Sequence, residues 1–462
     1  MNIYILVFLV QWLACGGCTS DVHVGYQVTV AVPIEYSRGF VGRAFLMETD
    51  QKVLNFKAAI SVEAVDEKYT CSLDVFLGDV KVWSSGHLSQ FYTTENCILE
   101  LTQNGDLRLK GQRGSVGWRT GTFGQGVKRL NLLRTGNLVL VDSQNMIKWQ
   151  SFNFPTNIML WGQRLSSKTR LTAFPSNSSL FYSLEIHDDK LALYLNSGKW
   201  KYSYWEFRPS NNRTITYVEL TSEGLEIYNG IQWRIAQLRS KIQEPPKFLA
   251  LGNNSGNLGL YYYSADKGVF EVSYKAINST CDLPLVCKPY GICTFSSDCS
   301  CIRLIKRGDG LLSDCSEEIT GGICNTSRVE MLELRGVTSV LSSNSKKVNI
   351  KKEVCANLCL DNCTCVAALY SPIGDDANLG ECYLYGLVRG VKQIERESKW
   401  SYMVKVPKEV DEGHGKHSGL KKWVSVVVGV VDGFVILIVL GGIGYYVVQK
   451  RKTSTQSTED TN

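Results

Sequence analysis

The chain has little of what a catalyst or a nucleic-acid binder needs. It holds only five histidines, His23, His87, His187, His414 and His417, and none stands in a G-x-S-x-G or H-E-x-x-H pattern, so serine-nucleophile and zinc-hydrolase chemistry have no candidates. HRD, DFG and a glycine-rich phosphate loop are absent as well, which leaves phosphoryl transfer without its residues. Acidic and basic residues interleave, and the formal charge of +6 is spread without a basic stripe, excluding a nucleic-acid surface. With 44% hydrophobic and 20% charged residues in 462, the chain is not disordered and has room for about two to four domains. No enzyme activity and no cofactor are expected.

Cysteine, by contrast, is abundant, with 16 residues. Cys15 and Cys18 fall at the end of an apolar leader (3–10, fading into small residues) that reads as a signal peptide over 1–20, which leaves an even 14 for pairing. Twelve of these lie between Cys281 and Cys382, in runs that a reducing cytosol would not keep oxidised. Zinc is disfavoured, because the close cysteine pairs are too tightly spaced and no histidine lies between His187 and His414. The sequons at Asn177, Asn212, Asn253, Asn278, Asn325 and Asn362 fit a glycosylated ectodomain. Residues 423–448 are long and apolar enough for a membrane helix, and Lys450, Arg451 and Lys452 follow them on the expected cytoplasmic side. A juxtamembrane stalk is expected at 408–422 and a short tail at 449–462, making a single-pass type I protein of the plasma membrane. Asp432 within the span is costly there and is expected to pair with a polar group on a partner's membrane helix.

The N-terminal half repeats. A turn residue followed by alternating apolar positions recurs as GDVKVW (78–83), GDLRL (105–109), GNLVL (136–140), DKLALY (189–194), EGLEIY (223–228) and GNLGLY (256–261). These form two sets of three at regular spacing, so each set predicts three short sheets around a pseudo-threefold axis, with a plain β-sandwich as the alternative. Six cysteines (Cys281, Cys287, Cys293, Cys299, Cys301, Cys315) then fall in a stretch too short for an apolar core, and disulfides must hold it. In the next group, Cys324, Cys355, Cys359, Cys363, Cys365 and Cys382, the spacing places Cys355, Cys359 and Cys363 on one helix face, turned to a sheet containing Cys382. The pairing within each group is left open; Cys71 and Cys97 are left to each other.

Residues 134–165, RTGNLVLVDSQNMIKWQSFNFPTNIMLWGQRL, resemble the end of the bulb-type (G-type) lectin domain of plant S-locus glycoproteins and S-domain receptor-like kinases. CDLPLVCKPYGICTFSSDCSCI (281–302) resembles their EGF-like module, and VCANLCLDNCTC (354–365) with Cys382 their PAN, or apple, domain. The resemblance implies a mainly β chain: a bulb-lectin β-prism at 21–168, a second lectin-like β domain at 169–277, an EGF-like module at 278–320, an α+β PAN domain at 321–407 and the membrane helix. It also implies a kinase-less surface recognition protein whose partners are a receptor kinase, a partner ectodomain or a second copy of itself. Mannose-binding members carry Q-x-D-x-N-x-V-x-Y. The matching positions here are Thr102, Asn104, Asp106, Arg108 and Lys110 in one repeat and Leu133, Thr135, Asn137, Val139 and Val141 in the next, with Asp188, Tyr194, Asn257 and Tyr261 as fragments. A hydroxyl-binding site weakens when its polar partners go, so mannose-type carbohydrate is expected to bind weakly. A wall- or glycan-holding decoy without signalling is the alternative role.

Overall fold

In the computed structural model the described residues are 21–32, 39–51, 54–65, 67–176, 178–210, 213–302, 315, 329–343, 346–373, 379–395, 399–407 and 441–445. The leader, Asp432, Cys324 and the sequons Asn177, Asn212 and Asn325 lie outside them. The apolar segment 423–448 does too, except for 441–445, which are helical. Among the described residues no helix is long and apolar enough to cross a membrane.

Three strands come first, β1 (Asp21–His23), β2 (Gln27–Ala31) and β3 (Val41–Glu48). Three antiparallel meanders then return in reverse order. β4 (Phe56–Val65), β5 (Lys68–Leu77) and β6 (Val80–Ser84) extend β3, with β7 (Phe91–Thr93) added to β5; β8 (Asn96–Leu101), β9 (Leu107–Lys110) and β10 (Val116–Arg119) extend β2; β11 (Val127–Leu132), β12 (Leu138–Asp142) and β13 (Ile147–Gln150) extend β1. The result is a three-sided prism of three sheets. Alternation decides which face is buried: in β8, Cys97, Leu99 and Leu101 turn inward while Asn96, Ile98 and Glu100 are partly exposed.

The same nesting then repeats. β14 (Ile158–Leu160), β15 (Arg164–Ser166) and β16 (Leu171–Ala173) each seed a sheet, which β17 (Phe181–Ile186), β18 (Leu191–Ser197) and β19 (Trp200–Phe207) complete on β16. β20 (Tyr217–Thr221), β21 (Gly224–Tyr228) and β22 (Arg234–Arg239) complete the sheet on β15, and β23 (Phe248–Leu251), β24 (Leu258–Ser264) and β25 (Val269–Lys275) the one on β14. A second prism follows the first with identical strand order.

At the centre of the first prism each meander contributes one tryptophan at the same register: Trp83 opposite Val75, Trp118 opposite Leu109 and Trp149 opposite Leu140. The three indoles meet edge to face at centroid distances of 6.2, 5.8 and 5.9 Å. This is the favoured geometry for aromatic quadrupoles, and burying Trp83 and Trp149 contributes roughly 3 kcal/mol each, with Trp118 half-buried beside them. The Cys71–Cys97 disulfide ties β5 to β8 across the same interior.

Beyond the prisms, β26 (Gly291–Cys293) and β27 (Cys299–Cys301) form a small hairpin stapled by Cys281–Cys293 and Cys287–Cys299, with Cys301–Cys315 alongside. The C-terminal sheet comprises β28 (Val329–Arg335), β31 (Lys346–Ile350), β32 (Ala367–Pro372), β33 (Gly380–Tyr385) and β35 (Ser401–Pro407). β29 (Val337–Ser339) and β34 (Val391–Gln393) join the small hairpin, β30 (Ser342–Ser343) pairs with β19, and α1 (Lys352–Leu360) crosses the C-terminal sheet. The helix differs from its sequence reading: it stops at Leu360, so Cys363 lies past its end. Cys355 does reach the sheet, bonding Cys382, but Cys359 bonds Cys365 and Cys363 is disulfide-bonded too. At that end Lys405, fully buried, donates to the carbonyl of Leu360 (3.3 Å), an orphan acceptor of the last turn, and to that of Asn362 (3.0 Å) just beyond it. A column of rings, Trp200, Tyr202, Tyr385 and Tyr402, runs from the second prism into the C-terminal sheet, and the Gly386 N–H donates to the Tyr202 hydroxyl at 2.7 Å.

Candidate functional site

The third strand of each sheet carries the positions at which a sugar motif is expected, and backbone bonds fix their equivalence. The amides of Leu73, Leu107 and Leu138 donate to the hydroxyls of Ser85 (2.9 Å), Thr120 (3.2 Å) and Ser151 (2.9 Å), the same contact in all three sheets of the first prism. The residues preceding those leucines, Ser72, Asp106 and Asn137, are therefore equivalent. This corrects the register of the first repeat. GDVKVW lies on the turn into β6, the fourth strand, and its sheet's counterpart of GDLRL and GNLVL lies in β5, with Ser72, Asp74 and Phe76 at the motif positions. The glycine turn at 78–79 was the stronger local signal, whereas β5 begins after Glu67, a non-glycine residue at φ 43°. The shared register of Trp83, Trp118 and Trp149 was the cue in the sequence that locates it.

At these positions the polar side chains turn inward. Asp106, 6% exposed, accepts from the amides of Gly121 (2.9 Å) and Thr122 (3.1 Å). Asn137, 5% exposed, accepts from Ser151 Oγ (3.2 Å) and Phe152 N (3.3 Å), while its Nδ2 donates to Gln150 at 2.8 Å. In the second prism Asn257 does the same for Ile277, donating to its carbonyl at 2.7 Å and accepting from its amide at 3.1 Å. Each clasps the third strand of a sheet to the segment leaving its fourth strand. Such bonds are ones a buried carboxamide needs to make.

The remaining positions are also engaged. Arg108 and Lys110 both bind Glu100, each at 2.7 Å, and the two hydrogen bonds hold that carboxyl below its ordinary range. Asp74, fully buried, binds Ser84 Oγ at 2.7 Å and Lys81 at 3.1 Å. Tyr194 is covered by the Lys201 ammonium, 4.2 Å above its ring, and its hydroxyl meets His187 Nε2 at 2.9 Å; burial pushes the phenol up to about 12. Lys201 also bonds Glu185, whose carboxyl burial would raise but which this bond and the one from Ser183 hold low. Tyr261 stacks on Phe248 at 5.0 Å. Asn104 and Asp188 stand exposed on turns. The seven candidate residues thus occupy four different sheets, two of each prism, and do not converge on one site. Of the described sequons, Asn253 and Asn278 are exposed on loops, and Asn362 is half-buried with its Oδ1 bonded to Thr364.

A family model described as D-mannose binding lectin matches residues 81–180. The G-type lectin S-receptor-like serine/threonine-protein kinase SD2-5 of Arabidopsis thaliana is 25% identical over 67% of this chain, and a PAN domain-containing protein of the same plant is 27% identical over 73%. These matches support a relationship to the bulb-lectin, S-locus glycoprotein family. The chain matches 38% of the length of the receptor kinase and 68% of that of the PAN domain-containing protein. The two-domain, fetuin-binding lectin of Scilla campanulata is 15% identical over 54% of this chain, at a TM-score of 0.20. The bulb-lectin relationship accounts for the prism topology. The clasps at Asp106, Asn137 and Asn257 belong to this chain's own residues.

Proposed function

We propose that the chain is a non-catalytic cell-surface recognition protein that works by binding a glycan, peptide or partner ectodomain and signals through a separate receptor kinase. The observation that carries this reading is the engagement of the motif positions: in a lectin-related prism, Asp106, Asn137 and Asn257 serve as clasps, so the sheets act as a scaffold that presents other surfaces. On this reading residues 278–320 and 321–407 are EGF-like and PAN modules, the six sequons carry glycans, and 423–448 anchor the ectodomain outside the plasma membrane. Asp432 then meets a polar or basic group of a partner's membrane helix, since a lone carboxylate there costs about 3 kcal/mol.

The test is affinity purification of the tagged full chain from plant membranes. Specific recovery of a receptor kinase, reduced by Asp432→Leu, is expected. Retention on wall glycan that resists salt, with no membrane partner, would instead favour the wall-holding role.

A further inference from the structure

Between the two prisms lies a cavity of about 440 Å³. Its buried lining is apolar, with Phe56 and Leu77 of the first prism, and its exposed lining includes Trp161 in the turn between β14 and β15 and Lys247 just before β23. Trp161 is 55% exposed, so much of its indole face is open to solvent. Pro245 and Pro246 stiffen the wall beside it.

The polar groups divide into two sets. Arg134 is already taken, its guanidinium held by both oxygens of Asp50 at 3.0 and 2.6 Å, and Gln51 donates to its carbonyl at 3.1 Å. The Lys247 ammonium, the Trp161 N–H and the hydroxyls of Thr135 and Ser222 have no hydrogen bond or ion pair among the described residues. The cavity therefore offers an apolar base, an exposed aromatic face, an ammonium with no ion pair among the described residues and two hydroxyls, while the Asp50 carboxylate is engaged by Arg134. An apolar pocket edged by a few polar groups is the ordinary form of a ligand site.

We propose that this cavity binds an acidic oligosaccharide, a hexuronate-containing glycan. The C–H face of a pyranose lies against Trp161, its carboxylate pairs with Lys247, and its hydroxyls meet Thr135 and Ser222. A peptide fits less well, because extended peptides bind by adding to a free strand edge, whereas the polar lining here, Arg134, Thr135, Ser222 and Lys247, lies in turns and bends. The inference goes beyond the reading above, which names no ligand; of the mannose-type positions, Thr135 alone borders the cavity.

The full chain, produced in a secretory host and held in detergent, is titrated calorimetrically with an oligogalacturonide and with its fully methyl-esterified form. Saturable binding of the acid form is expected, with the ester about tenfold or more weaker because it lacks the charge-assisted bond. Lys247→Ala is expected to reproduce that loss and Lys247→Arg to retain most affinity. Trp161→Ala abolishes binding while Trp161→Phe keeps part of it, and since both side chains are exposed the melting temperature stays unchanged. Equal binding of acid and ester, full affinity in both alanine variants, or an acidic peptide binding where the oligogalacturonide is silent would each overturn the assignment. Such a result leaves the recognition reading to its own test, recovery of a membrane partner.

Discussion

His87 belongs to no motif, yet the structure sets it at the seam between the prisms. Its Nε2 lies 2.8 Å from the Thr172 carbonyl and 3.0 Å from the Thr172 hydroxyl, and its ring packs on Phe174 at 5.4 Å. The carbonyl requires the ring to donate from Nε2. Burial lowers the imidazole pKa from its ordinary value, partly opposed by the bond to Thr172. The unfolded chain therefore takes up a proton more readily than the folded one, so His87 favours folding above pH ~6.5 and that stability is lost as pH falls from there. Melting temperature followed from about pH 7.5 to about pH 5 should decline, and His87→Gln should flatten the decline; an unchanged slope in the variant would remove His87 from the account. Lys405 makes a second case. Lys405→Ala leaves the Leu360 carbonyl without its side-chain donor, removes one of two bonds to the Asn362 carbonyl and empties a buried side-chain position, and is expected to cost about 3 kcal/mol by chemical denaturation. Neither role was legible in the sequence, because partners remote in the chain decide both. The reading of the histidines as remote from catalytic motifs stands, but a hydrogen bond spanning 85 positions leaves no local trace.

Among elements, the repeat was the most legible feature. Five of the six motifs, from GDLRL onward, each begin the third strand of a sheet, because a turn followed by alternating apolar residues states both the reversal and the buried face. The sixth was misplaced by one strand for lack of a glycine before β5. The turns themselves can be tested. Gly136, at φ 81°, has no room for a side chain: a Cβ there would sit 2.4 Å from the Phe56 ring and 2.8 Å from Leu160. Gly114, at φ 75°, meets nothing within 4 Å. Gly114→Ala should cost about 1 kcal/mol for the left-handed backbone alone, and Gly136→Ala clearly more, about 3 kcal/mol, from strain plus overpacking. Equal losses in paired urea melts would argue against the close packing of the β11–β12 turn on β4. The α1 helix shows the converse limit, since fourfold cysteine spacing extends past Leu360, where the helix ends, and spacing alone does not reveal a stop.

At the scale of the molecule, the mainly β architecture and its duplication followed from periodicity and family resemblance together, whereas the fate of the sugar positions required the structure. Thr102, Leu133 and their neighbours announce degeneracy in the sequence. That Asp106, Asn137 and Asn257, the residues closest to the motif, are turned inward to close their own sheets depends on segments up to 20 positions away. The central claim is that these positions hold the fold and leave mannose-type sugars at most a weak contact. Its most direct measurement combines a glycan array on the full chain, with a mannose-binding bulb lectin as control, and the melting temperature of Asn137→Ala. The account expects no saturable mannose-type binding where the control saturates, and a clear fall in melting temperature for the variant, equivalent to about 2 kcal/mol for a severed buried clasp. Saturable mannose binding that Asn137→Ala abolishes without moving the melting temperature would contradict it.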